Sequence, residues 1–143
     1  MRAGRRAAIP TAVRGALEQL LGERIGHVKV IEYSWFARLH GAFATTRLQR
    51  IYLAGSAEDF FTNPWLMLHE YYHVLRQWQI GSLTVRRYLI ECLRRGYWNN
   101  RFEVEARAFA DHRAAQLHAL LAAAPTPLLP TASAPQPSSA SRR

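Results

Sequence analysis

Two histidines and a glutamate lie close together in the segment LMLHEYYHVL, residues 66–75. His69 and His73 are four residues apart, so in a helix they lie about 40° apart on one face and can take adjacent corners of a metal tetrahedron. Glu70 lies ~100° further round, too far for an easy ligand but near enough to reach water at the metal. The HExxH pattern thus predicts two metal ligands and a general base. The alternative is a hydrogen-bonded histidine pair on a half-buried helix.

A zinc site of this kind needs a third protein ligand and one open position. The segment NNRFEVEARAFADHR offers Glu103 and Glu105, which lie about 200° apart on a helix, so only one of them can face the metal. The face of Glu103 carries the small residues Ala106, Ala110 and Ala114. The face of Glu105 carries the bulkier Phe109, His112 and Gln116. Close helix packing favours Glu103 as the third ligand, and Glu105 stays the alternative.

Three helices are predicted around these residues. Asn63 is a suitable N-cap, and Pro64 suits the first helical position, where its missing N–H is not needed. A second helix begins after Ser82, and a third begins at Asn99 or Asn100, with Glu103 at the capping-box spacing. The predicted ranges are 64–80, 82–95 and 100–124.

The chain before the motif predicts a short helix and a small sheet. Thr11 can cap a helix that ends at Gly22. The runs VKVIEY, FATT and RIYLA, residues 28–33, 43–46 and 50–54, predict two or three strands. The expected fold class is therefore α+β, with the sheet packed on the HExxH helix and on the helix that carries the glutamate. The expected organisation is a flexible basic arm over 1–10, one domain over 11–124, and a disordered Pro/Ser/Ala-rich tail over 125–143.

The composition limits the partners and the compartment. The formal net charge is +9, and Lys29 is the single lysine among the basic residues. Such a charge favours weak contact of the arginines with nucleic acid or anionic surfaces, without a dedicated role. Because Cys92 is the single cysteine, an internal disulfide and a cysteine-rich zinc finger are excluded, and a reducing, cytoplasmic location is expected. Arg14 and Glu18 interrupt the apolar N-terminal run, so we expect neither a secretion signal nor a membrane span.

The motif HEYYH followed by FEVEARAFA resembles the gluzincin-type metallopeptidases, whose third ligand is a glutamate in a helical ExxA-like stretch. RIYLAGSAEDFFTNPWLMLHEYYHVLRQW is similar to the layout of the extracellular contractile injection system core domain, a domain of unknown function, and VKVIEY matches its earlier strand. The resemblance covers about residues 25–117. It implies a minimal zincin-like fold that binds zinc through His69, His73 and Glu103. Glu70 would be the catalytic base for the hydrolysis of a peptide or protein substrate.

The chain departs from the gluzincin pattern at Arg107. Many gluzincins have an Asp or Asn four residues after the glutamate ligand, where it orients a zinc-bound histidine. An arginine cannot accept an imidazole N–H, so Asp111 or a backbone carbonyl is expected to do so. Tyr71, Tyr88 and Tyr97 are candidates for stabilising an oxyanion. The alternative function is a non-catalytic accessory or binding protein that keeps the zincin fold and acts through its basic surface.

Overall fold

The computed structural model describes residues 4–125 as an α+β fold, as the sequence predicts. The four strands are β1 (Arg5–Ala7), β2 (Lys29–Glu32), β3 (Ala44–Arg47) and β4 (Arg50–Leu53). The helices are α1 (Thr11–Leu21), α2 (Trp35–Leu39), α3 (Ala57–Phe61), α4 (Pro64–Tyr72), α5 (Val85–Arg95) and α6 (Arg101–Ala123), and a π-helical segment, His73–Trp78, continues α4. The predicted tail over 125–143 lies outside the described residues except for Pro125.

The four strands form one mixed sheet in the order β1-β2-β4-β3. The central pair, β2 and β4, is parallel, and both edge strands run antiparallel to their neighbours. Buried and exposed residues alternate along β4, where Ile51 and Leu53 face the core. Strand β3 is an edge strand, and it is the edge that lies nearest the HExxH helix, since β3 contacts α4 and the π-helical segment.

The sheet has four strands, whereas two or three were predicted. The additional strand is β1, which lies within the expected flexible arm and pairs with β2. Arg5 lies opposite Glu32, and Ala7 lies opposite Val30. The buried Glu32 carboxylate accepts a hydrogen bond from Arg5 Nε at 2.6 Å and another from the Ala57 backbone N–H at 3.0 Å. A partner 27 residues away thus fixes β1, and a three-residue, arginine-rich run gives no local sign of it.

Helices α4 and α6 pack against each other and carry the candidate site. The predicted start of α4 is confirmed, since Asn63 Oδ1 accepts the backbone N–H of Leu66 and Pro64 is the first helical residue. Asn100 caps α6 through the N–H of Phe102. Small residues of α6 are buried, as close packing requires: Ala106 and Ala110.

Three helix boundaries differ from the prediction. The HExxH helix does not stay α-helical to residue 80, because it becomes π-helical from His73, with the Gln79 N–H bonded to the Val74 carbonyl. Thr84, two residues after the predicted Ser82, caps α5 through the N–H of Arg87. At the N-terminus, Thr11 is the first residue of α1 rather than its cap. Within residues 4–125, no helix is long and apolar enough to cross a membrane.

Candidate metal centre

Three buried side chains meet where α4 passes into the π-helical segment and faces the first turn of α6. His69 Nε2 lies 3.2 Å from His73 Nε2. The same oxygen of Glu103, Oε2, lies 3.2 Å from His69 Nε2 and 3.5 Å from His73 Nε2. Within the described residues, these three side chains form a group that could hold a metal ion. The predicted trio of His69, His73 and Glu103 therefore comes together in space.

The spacing of the three donor atoms suits a small tetrahedral cation. Donor atoms that bind one tetrahedral zinc ion at ~2.0–2.1 Å lie about 3.3–3.4 Å from one another. The three distances between donor atoms here are 3.2, 3.2 and 3.5 Å. Little movement of the side chains would be needed for all three to bind the same ion. Three protein donors also leave the fourth tetrahedral position open.

The acceptor behind His73 is Gln77, which sequence analysis did not identify. His73 Nδ1–H donates to Gln77 Oε1 at 2.6 Å. The Gln77 amide nitrogen donates to the Phe102 carbonyl at 3.0 Å and to Glu105 Oε2 at 3.1 Å, so its oxygen must face the imidazole. This fixes the tautomer of His73 that leaves Nε2 free to bind a metal. The spacing i, i+4 from His73 to Gln77 is the signal that could have revealed it.

Glu105, the alternative ligand in the sequence analysis, lies outside the group of donor atoms. Its carboxylate accepts a hydrogen bond from Gln77 instead. Glu103 and Glu105 thus point in different directions, as their separation on one helix requires. Glu103 is buried and Glu105 is exposed.

The surroundings of His69 differ from the expectation that Asp111 would accept an imidazole N–H. Asp111 Oδ1 accepts the indole N–H of Trp65 at 2.7 Å, and the Trp65 ring stacks on the His69 ring with centroids 5.0 Å apart. Asp111 thus contacts Trp65, which in turn contacts His69. His69 Nδ1 is buried and has no hydrogen-bond partner within residues 4–125. Arg107 turns away from the centre, since its guanidinium lies over the Trp98 ring and donates to the Trp98 carbonyl.

The second oxygen of Glu103 is held by Tyr88 of α5. Tyr88 Oη donates to Glu103 Oε1 at 2.8 Å. Burial favours the neutral acid, but the adjacent imidazoles of His69 and His73 and the hydrogen bond from Tyr88 outweigh it and hold the pKa of Glu103 well below its usual range. Glu103 is therefore an anion ready to bind a cation. Burial opposes protonation of His73, yet the adjacent Glu103 and Glu70 raise the pKa of its imidazole.

Glu70 lies beside the donor atoms in a cleft of about 520 Å³. Its side chain is buried, and this burial raises the pKa of its carboxyl above the usual 4.5. The cleft also contains residues from α2, β3, α5 and the loop after α5, among them Phe36, Thr45, Tyr88 and Tyr97. A carboxylate with a raised pKa next to a candidate metal is a suitable proton acceptor.

The three candidate tyrosines have different positions. Tyr71 is fully buried and packs in the core beside Phe60, with ring centroids 6.5 Å apart. Tyr88 and Tyr97 both line the cleft. The Tyr88 hydroxyl already donates a hydrogen bond to Glu103, whereas the Tyr97 side chain is more than half exposed. Tyr97 is therefore the tyrosine with most freedom to contact a bound ligand, and Tyr71 is excluded.

Comparisons of the chain with protein-family models, with curated proteins and with solved structures find no match. The chemistry of the site therefore follows from the residues themselves: two imidazoles and a carboxylate that converge on one point, with a buried glutamate beside them in an open cleft.

Proposed function

We propose that the protein is a zinc metallopeptidase of gluzincin type, with His69, His73 and Glu103 as ligands and Glu70 as general base. The observation that carries the proposal is the triangle of donor atoms with sides of 3.2, 3.2 and 3.5 Å, next to a cleft that contains Glu70. This combination supports hydrolysis better than simple metal storage, because a closed structural site needs neither an open position nor a base.

Zinc is the metal proposed, since two imidazoles and one carboxylate at tetrahedral spacing form a donor set common in catalytic zinc sites. When bound, zinc would act as a Lewis acid on a carbonyl and lower the pKa of water. Glu70 then accepts a proton from the attacking water at its carboxylate and passes it to the leaving amine. Gln77 keeps His73 in the required tautomer, and Tyr88 holds the Glu103 carboxylate in place.

A peptide substrate is supported by the edge strand beside the site. Strand β3 has no neighbour on one side within the described sheet, and its residues Ala44 to Arg47 all line the cleft. An extended peptide can add to such an edge through main-chain hydrogen bonds. We extend the proposal to a reducing compartment such as the cytoplasm, because Cys92 is the single cysteine in the sequence.

The experiment that tests the proposal compares zinc-loaded wild type with Glu70→Gln on a fluorogenic peptide library. The matched control is Glu58→Gln, which makes the same chemical change at an exposed position of α3. We expect Glu70→Gln to keep its zinc and to lose ~10²–10⁴-fold in kcat, the range of general acid–base catalysis. The control should retain full activity.

Two results would contradict the enzyme. If zinc-loaded wild type cleaves nothing in the library while zinc binding depends on His73, the non-catalytic alternative is favoured. If elemental analysis finds equal metal in wild type and His73→Ala, the metal centre itself is wrong.

A further inference from the structure

Three basic residues form a row across the sheet. Lys29 of β2 lies opposite Arg50 of β4, and Arg50 lies opposite Arg47 of β3. Residues paired in this way are direct neighbours on the same face, and like charges in such positions destabilise a sheet. Within residues 4–125, none of the three makes a salt bridge to a carboxylate. The row therefore has an uncompensated repulsion, which a bound anion would relieve.

The row lines a second cleft, of about 590 Å³, at the turn that joins β3 and β4. His27, Trp78 and Gln79 also line this cleft, and no aspartate or glutamate does. Arg47 and Trp78 belong to the cleft beside the metal centre as well. The two clefts thus adjoin at the end of β3.

We propose that the row of Lys29, Arg50 and Arg47 is a recognition site for an acidic side chain of the substrate peptide. This inference rests on the proposed peptidase function and names its substrate class. A peptide that adds to the free edge of β3 places one residue directly opposite Arg47 and on the same face of the sheet. That residue becomes the fourth member of the row, where an Asp or Glu meets the unpaired positive charge.

Strand geometry sets the distance of this acidic residue from the reaction centre. Strand β3 has four residues, and the three steps from Ala44 to Arg47 cover ~10 Å at the usual rise per residue. The cleft beside the metal centre is lined by β3 from Ala44 to Arg47, so the acidic residue should lie only a few residues from the scissile bond. Nucleic acid is the less favoured occupant, because a phosphate backbone cannot pair with the main chain of β3.

The test uses full-length, zinc-loaded Glu70→Gln protein, in which binding can be measured without cleavage. Fluorescein-labelled octapeptides carry one glutamate at each position in turn, with glutamine and lysine versions as references. Anisotropy titration gives Kd. We expect one glutamate position to bind several-fold tighter than its glutamine version. Adding Arg47→Gln should weaken binding of that peptide by about 1.5- to fivefold, the usual value of one cross-strand charge pair.

The matched control is Arg86→Gln, which removes the same charge from an exposed position on α5. If Arg86→Gln weakens binding as much as Arg47→Gln, only overall charge matters and the site is overturned. If Arg47→Gln reduces the affinity for a single-stranded oligonucleotide but not for the peptides, the row is a nucleic-acid site and the proposal is also overturned.

Two further results separate this inference from the proposed function. Acidic peptides that bind through Arg47 to a protein that cleaves none of them would leave the recognition site in place and refute the peptidase. Cleavage with no preference for an acidic residue would support the peptidase and refute the recognition site.

Thermal unfolding is an independent measurement of the repulsion within the row. Arg50→Gln, at the centre of the row, should raise Tm because it removes two like-charge contacts, and a lower Tm would contradict the repulsion.

Discussion

At the scale of single residues, Gln77 connects the two helices that carry the donor atoms. Its oxygen accepts from His73, and its nitrogen donates to Phe102 and Glu105 of α6. The glutamine can satisfy all three contacts only with its amide in one orientation. The HExxH motif identifies the ligands from the sequence, but their orientation depends on this residue, which lies beyond the motif.

Gln77→Ala should weaken zinc binding by about 10- to 100-fold, the usual cost of losing an outer-shell partner of a metal ligand. Without the acceptor, His73 loses the bond that fixes its tautomer and its ring. The measurement is the zinc Kd by competition with a chromophoric chelator at one pH, because ligand protonation makes affinity pH-dependent. Gln79→Ala, at an exposed position directly after the π-helical segment, is the control. Equal Kd values for the two variants would contradict the role of Gln77.

Glu103→Gln should damage zinc binding more than Glu105→Gln. The first replaces an anionic donor that lies 3.2 Å from His69 Nε2. We expect zinc affinity to fall by more than about 100-fold, which is the upper end of the loss when an outer-shell partner is removed. The second alters only a contact to Gln77, so zinc affinity should fall less in Glu105→Gln than in Gln77→Ala. The same chelator titration decides. A larger loss for Glu105→Gln would mean that the helix presents the other face to the metal.

At the scale of secondary-structure elements, Glu32 holds three of them together. It lies on β2, binds Arg5 of β1, and accepts the first backbone N–H of α3 from Ala57. The Ala57 N–H and the Arg5 guanidinium lower the pKa of the Glu32 carboxyl from the ordinary 4.5. The attachment of β1 therefore depends on the charge of one buried side chain.

This attachment should make stability depend on pH on the acid side. A carboxyl with a lowered pKa in the folded protein contributes its stability fully above about pH 4.5 and loses it as the pH falls through the folded value. Urea unfolding at pH 7 and at several pH values below 4.5 measures this. Wild type should be more stable than Glu32→Gln at pH 7, and the difference should shrink in acid. The exposed Glu58→Gln is the control; a difference that stays constant with pH would contradict the role of the Glu32 charge.

The sequence predicts the elements whose signals are local. Asn63, Pro64 and Asn100 define helix starts through contacts within three residues, and the structure has them there. Strand β1 and the π-helical segment depend on distant partners, Glu32 in one case and α6 in the other, and no local pattern reveals them. The same holds for the basic row, because the register that aligns Lys29 with Arg50 exists only in the folded sheet.

At the scale of the whole molecule, zinc should stabilise the fold, because the donor set exists only when α4 and α6 are packed together. At a free zinc concentration 100 times Kd, a ligand that binds only the native state adds about 2.7 kcal/mol. For a domain of this size that corresponds to roughly 10 °C in Tm. Calorimetry with zinc and with chelator measures the shift. His73→Ala should show none, and an equal shift in that variant would place the zinc elsewhere.

Helix α5 is the one helix within residues 4–125 that has no buried residue, although Val85, Tyr88 and Leu89 form a wall of the cleft. A helix that buries so little should open locally at a small fraction of the free energy of global unfolding. Its amide hydrogens should therefore exchange with deuterium much faster than those of α4, and zinc should slow this exchange, because Tyr88 bonds to the Glu103 carboxylate. Tyr88→Phe should abolish the slowing and leave the rates in α4 unchanged. Zinc-dependent slowing in wild type would mean that the width of the cleft changes as α5 opens and closes, and that the bound metal sets how often α5 opens.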